Sequence, residues 1–191
     1  MPAKALLLDR DGVINVDHGY VGTIERFDFQ EGIFELTRRA VDSGFRIVVV
    51  TNQAGIARGY YGEADFQALS AWMTRAFAAQ GVALAAILHC PYYKAGVAGP
   101  YARESFWRKP NPGMILEAQR RLGLDLARSI FLGDQPTDMA AARAAGVGLR
   151  LFLDHGGDRE RRGAADADAV ITALLDAIPY LGPGPGPGPG R

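Results

Sequence analysis

An α/β fold with a doubly wound, mostly parallel, Rossmann-like sheet is predicted by three features of the sequence. Short apolar runs alternate with amphipathic stretches along nearly the whole chain. The runs are dense in aliphatic residues, as in strands covered on both faces. Glycines follow the amphipathic stretches, where a helix C-terminal cap needs them.

The runs are KALLLD (4–9), FRIVVVT (45–51), LAAILHC (84–90), SIFLGD (129–134) and VGLRLFL (147–153). Each reads as a buried strand. Helical patterns lie near 31–43, 63–80, 111–122 and 136–145. In the second, Phe66, Leu69, Met73 and Phe77 recur at spacings of three and four, which makes one apolar face. Gly44, Gly81, Gly123 and Gly146 follow the four helices. Repetition of strand and helix gives the doubly wound fold. The order of the strands in the sheet is not readable at this level. No stretch remains for a large second domain, so residues 1–181 are expected to form one domain. Residues 182–191 form a tail of alternating Gly and Pro ending in Arg191. Its period of two excludes a collagen helix, and an extended, disordered spacer is expected.

Composition narrows the function. The 191 residues carry 21 basic and 21 acidic side chains, so there is no basic excess for nucleic acid. Hydrophobic residues make up 48%, too many for a disordered chain. The single cysteine, Cys90, excludes an internal disulfide. The N-terminal apolar run stops at Leu8, too short for a signal peptide or a membrane span. A monomeric cytoplasmic protein with no nucleic-acid or membrane partner is expected.

In such a sheet ligands bind beyond the carboxyl ends of the strands. The first run ends in Asp9-Arg10-Asp11-Gly12, the second in Thr51-Asn52-Gln53, and the fourth in Gly133-Asp134 with Asp138 four residues on. Alone, an Asp after a strand suits a turn or a helix cap. Together the three ends bring four carboxylates to one edge. Asp9 and Asp11, two apart in extended chain, point the same way and would crowd unless a cation or a shared proton relieves them. Asp134 adds a third acid if its strand neighbours the first. That set suits Mg²⁺, a hard ion with oxygen ligands. Asp138 begins the following helix, where it supports the ligands or the helix N-terminus. Lys109, in Arg108-Lys109-Pro110, is placed to meet a phosphoryl group from the side opposite the metal.

These residues resemble the four motifs of the haloacid dehalogenase superfamily of phosphotransferases: Asp9 to Gly12, Thr51, Lys109, and Gly133 to Asp138. Longer stretches, LDRDGVINVDHGYVG, VVVTNQAGIARGYY, RKPNPGM and GDQPTDM, are similar to the D-glycero-D-manno-heptose 1,7-bisphosphate phosphatases. The related histidinol-phosphatases share much of the pattern. The resemblance implies a cap-less domain and Mg²⁺-dependent removal of a C7 phosphate, within a pathway that supplies heptose for surface polysaccharide. It implies Asp9 as nucleophile, Asp11 as general acid and then base, and Thr51 and Lys109 as phosphoryl contacts. The implied Mg²⁺ ligands are Asp9, the Asp11 carbonyl and Asp134. Arg58 and Arg108 become candidates for a distal phosphate. Asp17, His18, Gly19 and Tyr20, with Asn52, Gln53 and Ala54, would line the sugar pocket. A histidinol-phosphate phosphatase remains the alternative, as does an inactive binding module on the same fold.

Many members of this group bind structural zinc through C-x-H and C-x-C before the Arg-Lys-Pro motif. Here those positions hold Cys90, Tyr92, Ser105 and Trp107. One thiolate is left of four ligands, so no zinc is expected. Tyr92, Tyr93, Tyr101, Phe106 and Trp107 could hold the loop by packing instead. Cys90 reads as a small buried residue and His89 as a structural one. His155 and the mixed-charge stretch Asp158 to Arg162 read as solvated loop.

Overall fold

The computed structural model describes residues 2–156 and 166–182. The Gly-Pro tail beyond Gly182 and the mixed-charge stretch 158–162 lie outside the described residues. Six strands form one sheet: β1 (Lys4–Leu8), β2 (Phe45–Asn52), β3 (Leu84–Cys90), β4 (Ile130–Gly133), β5 (Leu149–Leu153) and β6 (Ala169–Ile171). The helices are α1 (Ile33–Asp42), α2 (Ala54–Ala57), α3 (Glu63–Ala79), α4 (Gly113–Leu122) and α5 (Pro136–Ala145).

The order is β3-β2-β1-β4-β5-β6, and every pairing is parallel. The chain runs outward from β1 through β2 to β3, then returns to lay β4 on the other side of β1. Leu8 therefore faces Val49 on one side and Leu132 on the other. This is the switch point at which parallel sheets open a crevice. It places the ends of β1 and β4 side by side, as the acidic cluster requires.

Alternate strand residues feed two cores. Leu6, Leu8, Ile47 and Val49 pack on one face with Leu36, Phe77 and the 3₁₀ segment Leu174–Leu181. Ala5, Leu7, Val48 and Val50 pack on the other with Met114, Ile115, Met139 and Ala142. The four glycines expected to close helices all have positive φ. Among the elements that escape the periodicity reading are β6 and the 174–181 segment. The first is only three residues long, and the second is 3₁₀ with Pro179 inside it. Among the described residues no helix is long and apolar enough to cross a membrane.

Candidate active site

A cavity of about 550 Å³ opens at the carboxyl ends of β1 and β2. Its floor is anionic. Oxygens of Asp9, Asp134 and Asp138 lie within 4.8 Å of one another, and all three residues are buried. Gly12 makes this approach possible: its φ is +86°, and a Cβ there would stand 2.2 Å from Asp134 Oδ2. Gly133 does the same for Asp138, whose Oδ2 would lie 2.4 Å from a Cβ. That oxygen also accepts the Gln135 N–H at 3.0 Å and so caps α5.

Lys109 is the counter-ion. Its ammonium lies 2.9 Å from Asp9 Oδ1 and 2.7 Å from Asp138 Oδ1, and it donates to the Val50 carbonyl at 2.9 Å. Three oxygens thus surround one charge. The lysine expected to meet a phosphoryl group is thus first a strut between carboxylates, though it does reach the cavity wall. Asn52 and Lys109 exchange side-chain and backbone hydrogen bonds at 3.1 Å each way, which fixes this loop on β2.

Three carboxylates against one ammonium leave an anionic excess. Burial, then Asp138, raises the Asp9 carboxyl well above the usual range. Burial, then Asp138, pushes Asp134 up to about 6. Burial alone would lower Lys109, but Asp138 and Asp9 raise it. Asp134 Oδ1 is buried without a hydrogen-bond partner. A buried, unpartnered oxygen among carboxylates fits a hard divalent cation, and Mg²⁺ suits the set.

Asp11 stands apart from this cluster. The crowding of Asp9 and Asp11 expected from their spacing does not occur, because the chain leaves extended geometry after Asp9 and Asp11 turns toward other donors. Its carboxylate accepts from Arg10, from Asn15 Nδ2 at 3.1 Å and from Gln53 Nε2 at 3.1 Å. Gln53 is held in turn by Tyr61, whose hydroxyl donates to its Oε1 at 2.5 Å. Burial pushes Tyr61 up to about 12, so it remains a donor.

The opposite wall is cationic and aromatic. Arg58 and Arg108 lie over the Tyr93 ring at 4.7 and 4.8 Å, and all three residues line the cavity with Tyr20 and Asp17. Of the predicted pocket residues, Gly19, Asn52 and Ala54 also line it. His18 does not: its ring turns to Asp28 at 2.7 Å, because that carboxylate is the nearer partner on the exposed loop. Gln53 and Thr51 sit behind the wall, with Gln53 Nε2 donating to Thr51 Oγ1 at 2.8 Å. Arg10, Tyr61 and Tyr93 were not predicted. A charged side chain between two motif carboxylates was the available signal for Arg10.

His155 is exposed but not merely solvated. Its Nε2 lies 2.7 Å from the Gly12 carbonyl, which links β5 to the Asp-x-Asp loop. His89 is structural, as expected, bonded to Glu63 and stacked on Phe66. Tyr92 and Trp107 pack against the second core, Tyr92 tilts against Tyr101, and Arg103 covers Tyr92. Phe106, expected to join them, is 60% exposed.

A family model described as HAD-hydrolase-like matches residues 106–177. A D-glycero-alpha-D-manno-heptose-1,7-bisphosphate 7-phosphatase of Burkholderia mallei is 50% identical over 96% of this chain and 97% of its own length. The chain belongs to the haloacid dehalogenase-like heptose-bisphosphate phosphatase family. A D-glycero-beta-D-manno-heptose-1,7-bisphosphate 7-phosphatase of Escherichia coli K12 is 42% identical, with 90% of each chain covered. Within the family, a solved D,D-heptose 1,7-bisphosphate phosphatase from B. bronchiseptica, complexed with magnesium and phosphate, superposes with a TM-score of 0.77. It is 31% identical and covers 93% of this chain and 97% of its own.

The raised Asp134 carboxyl gives the metal-free protein a pH signature. A carboxyl held above its free value stabilises the fold while protonated. That stability is full below about pH 4 and is lost as pH rises through about 6. Metal-free protein is therefore expected to melt lower at pH 7.5 than at pH 5. Added Mg²⁺ should raise the melting temperature more at the higher pH. Asp134→Asn should raise the metal-free melting temperature at pH 7.5 and remove most of the Mg²⁺ response, both read by thermal scans in EDTA and in Mg²⁺.

Proposed function

We propose that this protein hydrolyses the C7 phosphate of D-glycero-D-manno-heptose 1,7-bisphosphate in a Mg²⁺-dependent reaction. One observation carries the reading: the cavity has an anionic end lined by Asp9 and Asp138, with Asp134 clustered against them, and a cationic end lined by Arg58 and Arg108. A bisphosphate fits such a cavity with the departing phosphate over Asp9 and the retained one between the guanidiniums. Histidinol phosphate has no second phosphate to use that end. The cationic end is small and local, and it offers no track for a polynucleotide.

Asp9 is the nucleophile. Its hydrogen bonds go to Oδ1, from Lys109 and from the Arg10 N–H at 2.7 Å, which leaves Oδ2 for attack. In-line attack forms an aspartyl-phosphate as the bond from phosphorus to the sugar oxygen breaks. Asp11 gives the leaving oxygen its proton, then takes one from the water that hydrolyses the intermediate. Asp9, Asp134 and the Asp11 carbonyl would hold Mg²⁺, with Asp138 in support through Lys109. When bound, the ion offsets the repulsion between the carboxylates and the phosphate. Lys109 keeps Asp9 aimed and shares a donor with the transferring group. Thr51 acts through Gln53, whose amide donates to its hydroxyl. Asp17, Gly19, Tyr20, Asn52 and Ala54 form the sugar wall.

We further propose that the 91–107 loop is held without zinc. Cys90 is buried with a raised thiol pKa, caused first by burial, and its sulfur faces the Tyr92 carbonyl. Tyr92 and Trp107 occupy two of the positions where the family places ligands. The enzyme acts as a monomer on a small cytoplasmic metabolite.

Phosphate release from heptose bisphosphate is expected in Mg²⁺, with histidinol phosphate poor. Asp9→Asn should abolish it, and equal turnover of histidinol phosphate would overturn the substrate. Arg108→Ala should raise KM for the bisphosphate by roughly 10-fold or more, the worth of a charge-assisted contact. Elemental analysis should find no stoichiometric zinc, and chelation should leave the melting temperature in excess Mg²⁺ unchanged.

A further inference from the structure

Arg10 is the largest fully buried side chain among the described residues, and its guanidinium has no part in the chemistry described above. Its guanidinium lies 5.9 Å from the Phe27 ring and 5.9 Å from the Phe66 ring. Packing alone does not explain a charge there. Two phenyl rings would accept Met or Leu, whereas burying a cation costs several kcal/mol unless it is well paired. Its guanidinium acts on the Tyr61 hydroxyl and leaves Nη1 without a partner, while Nε and Nη2 reach Asp11 and Val21. Nη2 donates to Asp11 Oδ1 at 2.8 Å and Oδ2 at 2.9 Å, with Nε 3.3 Å from Oδ1. Nη2 also donates to the Val21 carbonyl at 2.5 Å. Val21 directly follows Asp17, Gly19 and Tyr20, which line the cavity.

We propose that Arg10 is a positioning residue that sets the Asp11 carboxylate relative to the substrate loop, so that the proton is delivered at the leaving sugar oxygen. The inference rests on the reading of Asp11 as general acid. Asp11 is only partly buried, so one side of its carboxylate stays open to the cavity while the guanidinium grips the other. Asn15 and Gln53 also reach this carboxylate. Gln53 ties the acid to the Asn52–Ala54 side of the sugar wall, whereas Arg10 ties it to the side that carries Asp17, Gly19 and Tyr20. Rotation of Asp11 about χ would move the proton away from the leaving oxygen without removing any group that binds phosphate.

The leaving group supplies the test. kcat/KM reports the steps up to release of the alcohol, and an aryl oxygen departs with little need of a proton. Arg10→Met keeps the apolar stem, and Arg10→Lys keeps the charge but loses the fork. Each would be assayed beside Asp11→Asn with heptose bisphosphate and p-nitrophenyl phosphate, and folding would be checked by thermal scans. Arg10→Met is expected to lose roughly 10- to 100-fold more kcat/KM on the sugar phosphate than on the aryl phosphate. Asp11→Asn should show the same selective loss, and Arg10→Lys a smaller one. An equal loss on both substrates in the Arg10 variants, with Asp11→Asn still selective, would overturn the positioning role. An unselective Asp11→Asn would instead overturn the acid reading itself. If Arg10→Met does not fold, Arg10→Lys carries the comparison.

Discussion

The Lys109 ammonium, buried between Asp9 and Asp138, is the contact on which the site depends. It ties together three parts of the chain that are far apart in sequence: the end of β1, the start of α5 and the loop before α4. It also donates to the Val50 carbonyl of β2, so the loop is fastened to the sheet as well. Removal of one partner from a buried pair of this kind costs about 3–5 kcal/mol, because the other charge is then left without compensation. The sheet order makes the contact possible. Only with β4 beside β1 do Asp134 and Asp138 arrive next to Asp9.

Two carboxylates two residues apart end in opposite surroundings. Asp9 lies in a dry, anionic nest with one cation, and its carboxyl is raised by burial and by Asp138. Asp11 sits in a shell of donors from Arg10, Asn15 and Gln53, backed by Tyr61. Separation of environments lets one fold assign different work to chemically identical groups. Arg10 does much of the separating, since its side chain turns Asp11 away from the cluster while its backbone N–H supports Asp9.

Much of this was legible in the residues. Apolar runs gave five of the six strands, and polar groups at three strand ends marked the edge where the site lies. The motifs placed Asp9, Asp134, Asp138 and Lys109 in one cluster, and the structure brings them together. What stayed hidden depended on direction rather than on position. Spacing alone put Asp9 and Asp11 on one side, but a turn begins between them. His18 belongs to a conspicuous segment, yet an exposed ring takes its nearest carboxylate, Asp28. His155 looked solvated because its partner, the Gly12 carbonyl, is 143 residues away. Tyr93 had no motif to mark it, since its role arises from two arginines that converge on one ring. Phe106 shows that an aromatic run need not be buried throughout.

That ring between two guanidiniums has a consequence beyond recognition. Burial lowers Arg108 from its usual value, yet it remains a cation beside a second cation, Arg58. Two guanidiniums on one ring outnumber Asp17, the carboxylate placed on the same wall. The pair is therefore poised for an anion. The monophosphate left after hydrolysis still carries the group this end prefers, whereas the inorganic phosphate leaves from the anionic end. The two products are thus released against opposite fields. The sugar product leaves against the pull of the same wall that selects its substrate.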